Sequence, residues 1–257
     1  MIHSKVCLIG ERKLSIETGK LANQADSAVT VGRNADKIYT SADKLFQLSD
    51  FAPVAIMVYG SAHFVGIPWE TAIKSYRVEL AEKKYGTVAE YAEGFLKWLG
   101  TNRMMFPVGA RQDSITRILY FFYHHLQQDR IRKRLDDEFR ERAAISDSEL
   151  PPILDDVVGE MLNELKGAPL LRDLPTNTRS RFRRAFSSVL SEAINEVFGD
   201  LPFTPSARRK LKTLASEVVT REFFGPYRSG VVVAGFGEDQ YTPALVSYNL
   251  EEMLFER

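Results

Sequence analysis

Residues 24 to 73, QADSAVTVGRNADKIYTSADKLFQLSDFAPVAIMVYGSAHFVGIPWETAI, gather strand-like runs, two Asp-Lys pairs and a helix start into fifty positions. Val29-Thr30-Val31 and Lys37-Ile38-Tyr39-Thr40 are β-branched and aromatic runs separated by the turn Gly32 to Asp36. Val54-Ala55-Ile56-Met57-Val58-Tyr59 is an unbroken apolar run, which predicts a strand buried on both faces and ending at Gly60-Ser61. Pro68 then suits a first helical turn and Glu70 suits the positive end of the helix dipole. A buried strand, a glycine turn and a helix start place backbone N–H groups beside the strand end.

The order of these blocks resembles that of proteasome-type subunits. Ala25-Asp26-Ser27-Ala28-Val29-Thr30 is similar to the family block A-D-S-R-A-T, and Lys44-Leu45-Phe46-Gln47-Leu48 to the block K-[IV]-x-x-[IL] that follows it. Near the other end, Ser229 to Gly237 and Thr242 to Tyr248 resemble the family's late hairpin. The resemblance covers roughly residues 20 to 100 and 228 to 250. It implies an α+β fold of the N-terminal-nucleophile (Ntn) hydrolase type, a layered αββα sheet sandwich. Residues 1–100 and 223–257 would form the sheet core with two helices, and 101–222 a helical insertion.

The same resemblance implies a chemistry, amide-bond hydrolysis of a peptide or small amide by the first residue of a processed chain, whose α-amine is the base. Asp26 and Lys44 match the family's Asp and Lys by motif. A Lys beside the nucleophile lowers its pKa, and an Asp near that Lys orients it. A plain salt bridge between adjacent strands explains the pair equally well, and Asp43 competes as the acid. Gly60 and Ser61 match the small-residue turn whose backbone N–H serves as the oxyanion hole. At the nucleophile position, near Gly10, the chain has no Thr, Ser or Cys, so Ser4, Cys7 and Ser15 are the nearest. Cys7, in Val-Cys-Leu-Ile, also reads as core packing. A non-catalytic member, kept for assembly or partner binding, is therefore the alternative function. Glu17 to Asp26 separately resembles the first strand of phosphorolytic exoribonucleases, over about ten residues, which gives an RNA-processing role as a further alternative.

Composition bounds the rest. With 34 basic and 34 acidic side chains in 257 residues, the whole molecule has no electrostatic case for nucleic acid or an acidic membrane. One Cys excludes an intramolecular disulfide, and with no long apolar run the expected location is the cytoplasm. His63, His124 and His125 are too scattered for a metal, and no cofactor motif is present.

Beyond the stretch, Lys5–Ile9 and Leu14–Glu17 predict a hairpin, and Thr87 to Glu90 a capping box opening a helix to Leu99. A long helix capped by Asp113 or Ser114 follows, then helices over 152–166, 177–198 and 206–223, and finally two strands joined by a polar loop. Residues 136–164 carry ten acids against two arginines, and 172–212 nine basic residues against four acids. The asymmetry predicts solvated helix faces or pairing inside the molecule first, head-to-tail contact between subunits of a homo-oligomer second, and nucleic-acid binding by Arg179 to Arg184 with Arg208 to Lys212 third.

Overall fold

The computed structural model describes residues 7–8 (backbone), 44–142, 144–171, 174–251 and 253. The chain is a mixture of helix and sheet. Strands β1 (Cys7–Leu8), β2 (Leu45–Gln47) and β3 (Val54–Gly60) are followed by the short pair β4 (His63–Phe64) and β5 (Ile67–Pro68). Helices α1 (Trp69–Leu80), α2 (Val88–Thr101) and α3 (Val108–His125) come next, with a π-helical segment, Leu126–Ile131, leading into α4 (Arg132–Arg142). After α5 (Leu150–Gly167), α6 (Thr178–Ala185), α7 (Ser187–Phe198) and α8 (Pro205–Val218), the chain returns to strand in β6 (Ser229–Gly235) and β7 (Ala244–Leu250).

The main sheet is antiparallel, in the order β1-β7-β6-β3-β2. Val54 lies opposite Gly235 and Gly60 opposite Ser229, so β3 pairs along its whole length with a strand far away in sequence. Helices α1 and α2 cover one face. Val54, Ile56, Val58, Val231, Val233 and Leu250 project into a core completed by Trp69, Ile73, Tyr91 and Phe95. β3 is not buried on both faces as its apolar run predicts: Ala55 and Tyr59 are half-buried and Met57 is 37% exposed, so burial alternates with the two-residue period of a strand. On that second face the Tyr59 ring lies over Gly230, where an added Cβ would sit 1.8 Å from the ring.

A second core lies within the helical block, built by Leu119, Phe122 and Tyr123 of α3 with Leu154, Phe182, Ile194 and Leu211 of the following helices. Three boundaries differ from the sequence reading. α3 begins at Val108, because the buried Arg111 side chain donates from Nε to the Phe106 carbonyl at 2.7 Å and ties the first turn down. Ser114, read as a cap, is buried inside that helix. Residues 177–198 form two helices, broken where Phe186 leaves helical geometry at φ −105°, ψ 19° and stacks on Phe182 at 4.9 Å. α8 stops at Val218, short of Phe223. The Thr87–Glu90 capping box is present in both directions, at 3.2 and 3.0 Å. The predicted strands at 14–17, 29–31 and 37–40 lie outside the described residues.

Candidate functional site

The end of β3 carries the residues singled out by motif. The Val58 N–H donates to the Lys44 carbonyl at 2.8 Å, on the β2 side of the strand. Alternate N–H groups of a strand point the same way, so the Gly60 N–H is directed to that side too, just past Lys44. Gly60 holds φ +82°, and a Cβ there would lie 2.4 Å from the Arg228 carbonyl oxygen. Ser61 is different. Its N–H donates to the Arg228 carbonyl at 3.0 Å, and its hydroxyl donates to the His63 carbonyl at 2.9 Å while accepting the His63 N–H at 3.3 Å. The Ser61 N–H is therefore spent in the ladder and is not free to serve an oxyanion, which corrects half of that reading.

Lys44 is exposed, and its side chain makes no hydrogen bond or ion pair among the described residues. Asp26 and Asp43, its proposed partners, lie outside them, as do Ser4 and Ser15. Cys7 is in β1, opposite Asn249 of β7. Among the described strands, β1 and β2 are the outermost two of the sheet. Four strand spacings separate them, about 19 Å. The structure thus places Lys44 opposite Val58, two residues before Gly60, with the backbone of Cys7 at the far end of the described strand order.

The charged faces of the helical block meet within the chain. Lys210 of α8 pairs with Asp155 of α5 at 3.0 Å, and Arg130 pairs with Glu164 at 2.7 Å. Glu217 is buried between Arg179, at 2.9 Å, and Arg221, which also donates to the Lys166 carbonyl at 2.9 Å. These contacts join α5, α6 and α8 from inside one molecule. Among the described residues no helix is long and apolar enough to cross a membrane.

Motif reading misses a second place. A cavity of about 210 Å³ opens between the helical block and the end of β7. α3 supplies Phe121, Phe122 and His125, the connector after α8 supplies Phe223, Phe224 and Tyr227, and Glu251 follows β7. Phe121 and Tyr227 meet edge to face at 5.9 Å, and Phe122 and Phe223 do so at 6.1 Å. Glu251 is 2% exposed and accepts the Gly225 N–H through Oε1 at 2.6 Å. His125 stacks on Phe121 and turns Nδ1 to Asp129, 2.6 Å away, at the start of the π-helical segment. The signal in the sequence was the pair of aromatic runs Phe121-Phe122-Tyr123 and Phe223-Phe224-Gly-Pro-Tyr227, too far apart to be associated without the fold. Compared with family models, curated proteins and solved structures, the chain gives no match.

Proposed function

We propose that this chain has a proteasome-like, Ntn-hydrolase-type layered core used as a partner-binding scaffold without amide hydrolysis. One observation carries the reading: among the described strands, the backbone of Cys7 lies in β1 at one end of the order and Lys44 flanks β2 at the other, so the chain's single Cys and the cation meant to activate it belong to strands about 19 Å apart. The antiparallel sheet with two helices on one face and a half-exposed apolar row on the other supports a layered arrangement, in which a second sheet would stack on that row. The second reading, an amide-bond hydrolase, is favoured by the Gly60 N–H, directed to the strand side where Lys44 lies. In that case the nucleophile is Ser4 or Ser15 after loss of the preceding residues, and Lys44 holds its pKa down.

Intact-mass measurement of the purified chain, with a turnover assay on a set of fluorogenic peptide amides, separates the two. The scaffold reading expects an unprocessed chain and no turnover. A chain cut just before Ser4, Cys7 or Ser15, with turnover abolished by Lys44→Ala, would establish the hydrolase instead.

A further inference from the structure

We propose that the cationic strip formed by α8, the flank of α7 and the last turn of α6 binds the phosphate backbone of duplex nucleic acid. The charges of the helical block do not all cancel inside it. Lys210 is taken by Asp155, and Arg179 by the buried Glu217. Arg183 and Arg184 of α6 and Arg209 of α8 are exposed and make no ion pair among the described residues. Lys212 and Arg208 donate only to neutral oxygens there, the Ser191 hydroxyl and Asn195 Oδ1, each at 3.0 Å. Those two bonds run in step. One turn forward on α7, from Ser191 to Asn195, is one turn back on α8, from Lys212 to Arg208, so the helices lie antiparallel with cations along the seam. At about 3.6 residues per turn, Arg208, Arg209 and Lys212 fall within about 100° of arc on α8, whereas Lys210 turns to α5. None of these residues belongs to the end of β3, so the strip can act whether or not the sheet core hydrolyses amides.

The acids of these three helices are turned elsewhere. Glu196 accepts the Tyr120 hydroxyl at 2.6 Å, Glu192 acts on the same phenol, and Glu217 is buried. The strip is therefore positive although the whole chain is neutral, because salt screens charges more than about 8–10 Å away. What the strip lacks decides its partner. None of the exposed large apolar or aromatic side chains among the described residues lies on α6, α7 or α8. A membrane would call for apolar side chains to insert beside the cations, and a single strand for rings on which bases stack. A duplex needs neither, since its outer surface is phosphate, contacted by guanidinium, ammonium and hydroxyl groups alike. Arginine forks match phosphate oxygens, and the exposed Ser187 and Ser188 add neutral donors just beyond Arg184. From Ser187 to Asn195 α7 rises about 12 Å, the axial length of about three or four base pairs.

The test uses the whole chain and a fluorescent DNA duplex of about 20 base pairs, followed by anisotropy between about 50 and 200 mM salt. Micromolar binding is expected at the lower salt, with log affinity falling against log salt at a slope of about 2.7 to 4.5, as three to five phosphate contacts require. Combining Arg183→Gln, Arg184→Gln and Arg209→Gln removes three exposed charges, and should weaken the duplex at least about tenfold and lower the slope by about 2.7. Combining Lys97→Gln, Arg132→Gln and Lys133→Gln removes the same charge from exposed positions on α2 and α4, and should change affinity less than about twofold. An equal loss in the two triple variants overturns the proposal, as does a slope near zero or an absence of binding at about 100 μM chain and low salt. So does equal affinity for a single strand of the same length, for polyglutamate or for phosphatidylserine vesicles, the last two reassigning the strip to an acidic protein or a membrane. The slope is read from the unmodified chain, so the result stands even where a variant fails to fold.

Discussion

The indole N–H of Trp69 donates to the hydroxyl of Ser229 at 2.9 Å, joining the first residue of α1 to the first residue of β6 inside the core. The Ser229 hydroxyl in turn donates to the Ser61 carbonyl at 3.1 Å, so a single hydroxyl ties helix, turn and sheet.

Removing that hydroxyl strands a buried donor. Ser229→Ala should cost about 1–3 kcal/mol in urea unfolding, because the Trp69 N–H loses its acceptor where water cannot replace it. In a double-mutant cycle with Trp69→Phe the two losses should be less than additive. Strict additivity would mean the bond contributes nothing.

Two glycines with the same backbone angle should respond differently to alanine. Gly60 and Gly66 both hold φ +82°, but a Cβ meets the Arg228 carbonyl at 2.4 Å in the first case and nothing within 4 Å in the second. Gly66→Ala should lose only the conformational cost, about 1–2 kcal/mol. Gly60→Ala should lose distinctly more, since the clash is with backbone that β6 holds in register. Equal melting temperatures for the two variants would show that the turn yields.

Glu217→Ala should be among the most damaging single changes in the helical block. It leaves Arg179 and Arg221 without the buried carboxylate that both contact, which costs about 3–5 kcal/mol. Thermal unfolding followed by circular dichroism reads this directly. A loss no larger than that of an exposed pair such as Lys74–Glu70 would contradict it.

Alkaline stability should be governed by phenols that the fold holds protonated. Burial pushes the Tyr123 hydroxyl well above its ordinary value of 10.0, and a hydrogen bond to Glu196 holds Tyr120 up to about 12. A group raised in the fold gives up its proton first in the unfolded chain. Its stabilisation is complete below pH 10 and is lost as the pH rises from there towards the folded value. Tyr123→Phe sacrifices the bond to the Leu211 carbonyl at neutral pH, yet its stability should fall less steeply above pH 10 than that of the parent chain. Parallel curves in urea titrations from pH 8 to pH 11, a window bracketing the onset of phenol ionisation, would refute the assignment to Tyr123.

What the sequence conveyed was local, and what it withheld was contact between distant parts. The Thr87–Glu90 box and the Val54 run needed only neighbours three or two residues away, and the structure places both as elements. The start of α3 depends on where the Arg111 side chain goes, which no spacing rule states. Phe186 fits the apolar period of one long helix, but its backbone leaves helical geometry there while its ring stacks on Phe182. A six-residue apolar run says nothing about which faces find cover, so the alternation along β3 emerged only with the sheet. Among the motif residues, the register sets Lys44 opposite Val58, two residues before Gly60, whereas the separation of the Cys7 backbone follows from strand order, a property that motifs do not carry.

The Trp69–Ser229 bond spans 160 residues. During synthesis the helices, whose core runs from Ile115 to Val219, leave the ribosome with all their partners before β6 exists. Until Ser229 and the residues after it emerge, the flank of β3 that faces β6 is an open apolar edge, and such edges recruit other chains. A message truncated between the codons of Val219 and Ser229 would release a product with a finished helical block and an unsealed strand. Such a fragment is built to aggregate, and β6, made only after the whole helical block, is the protein's own late protection against it.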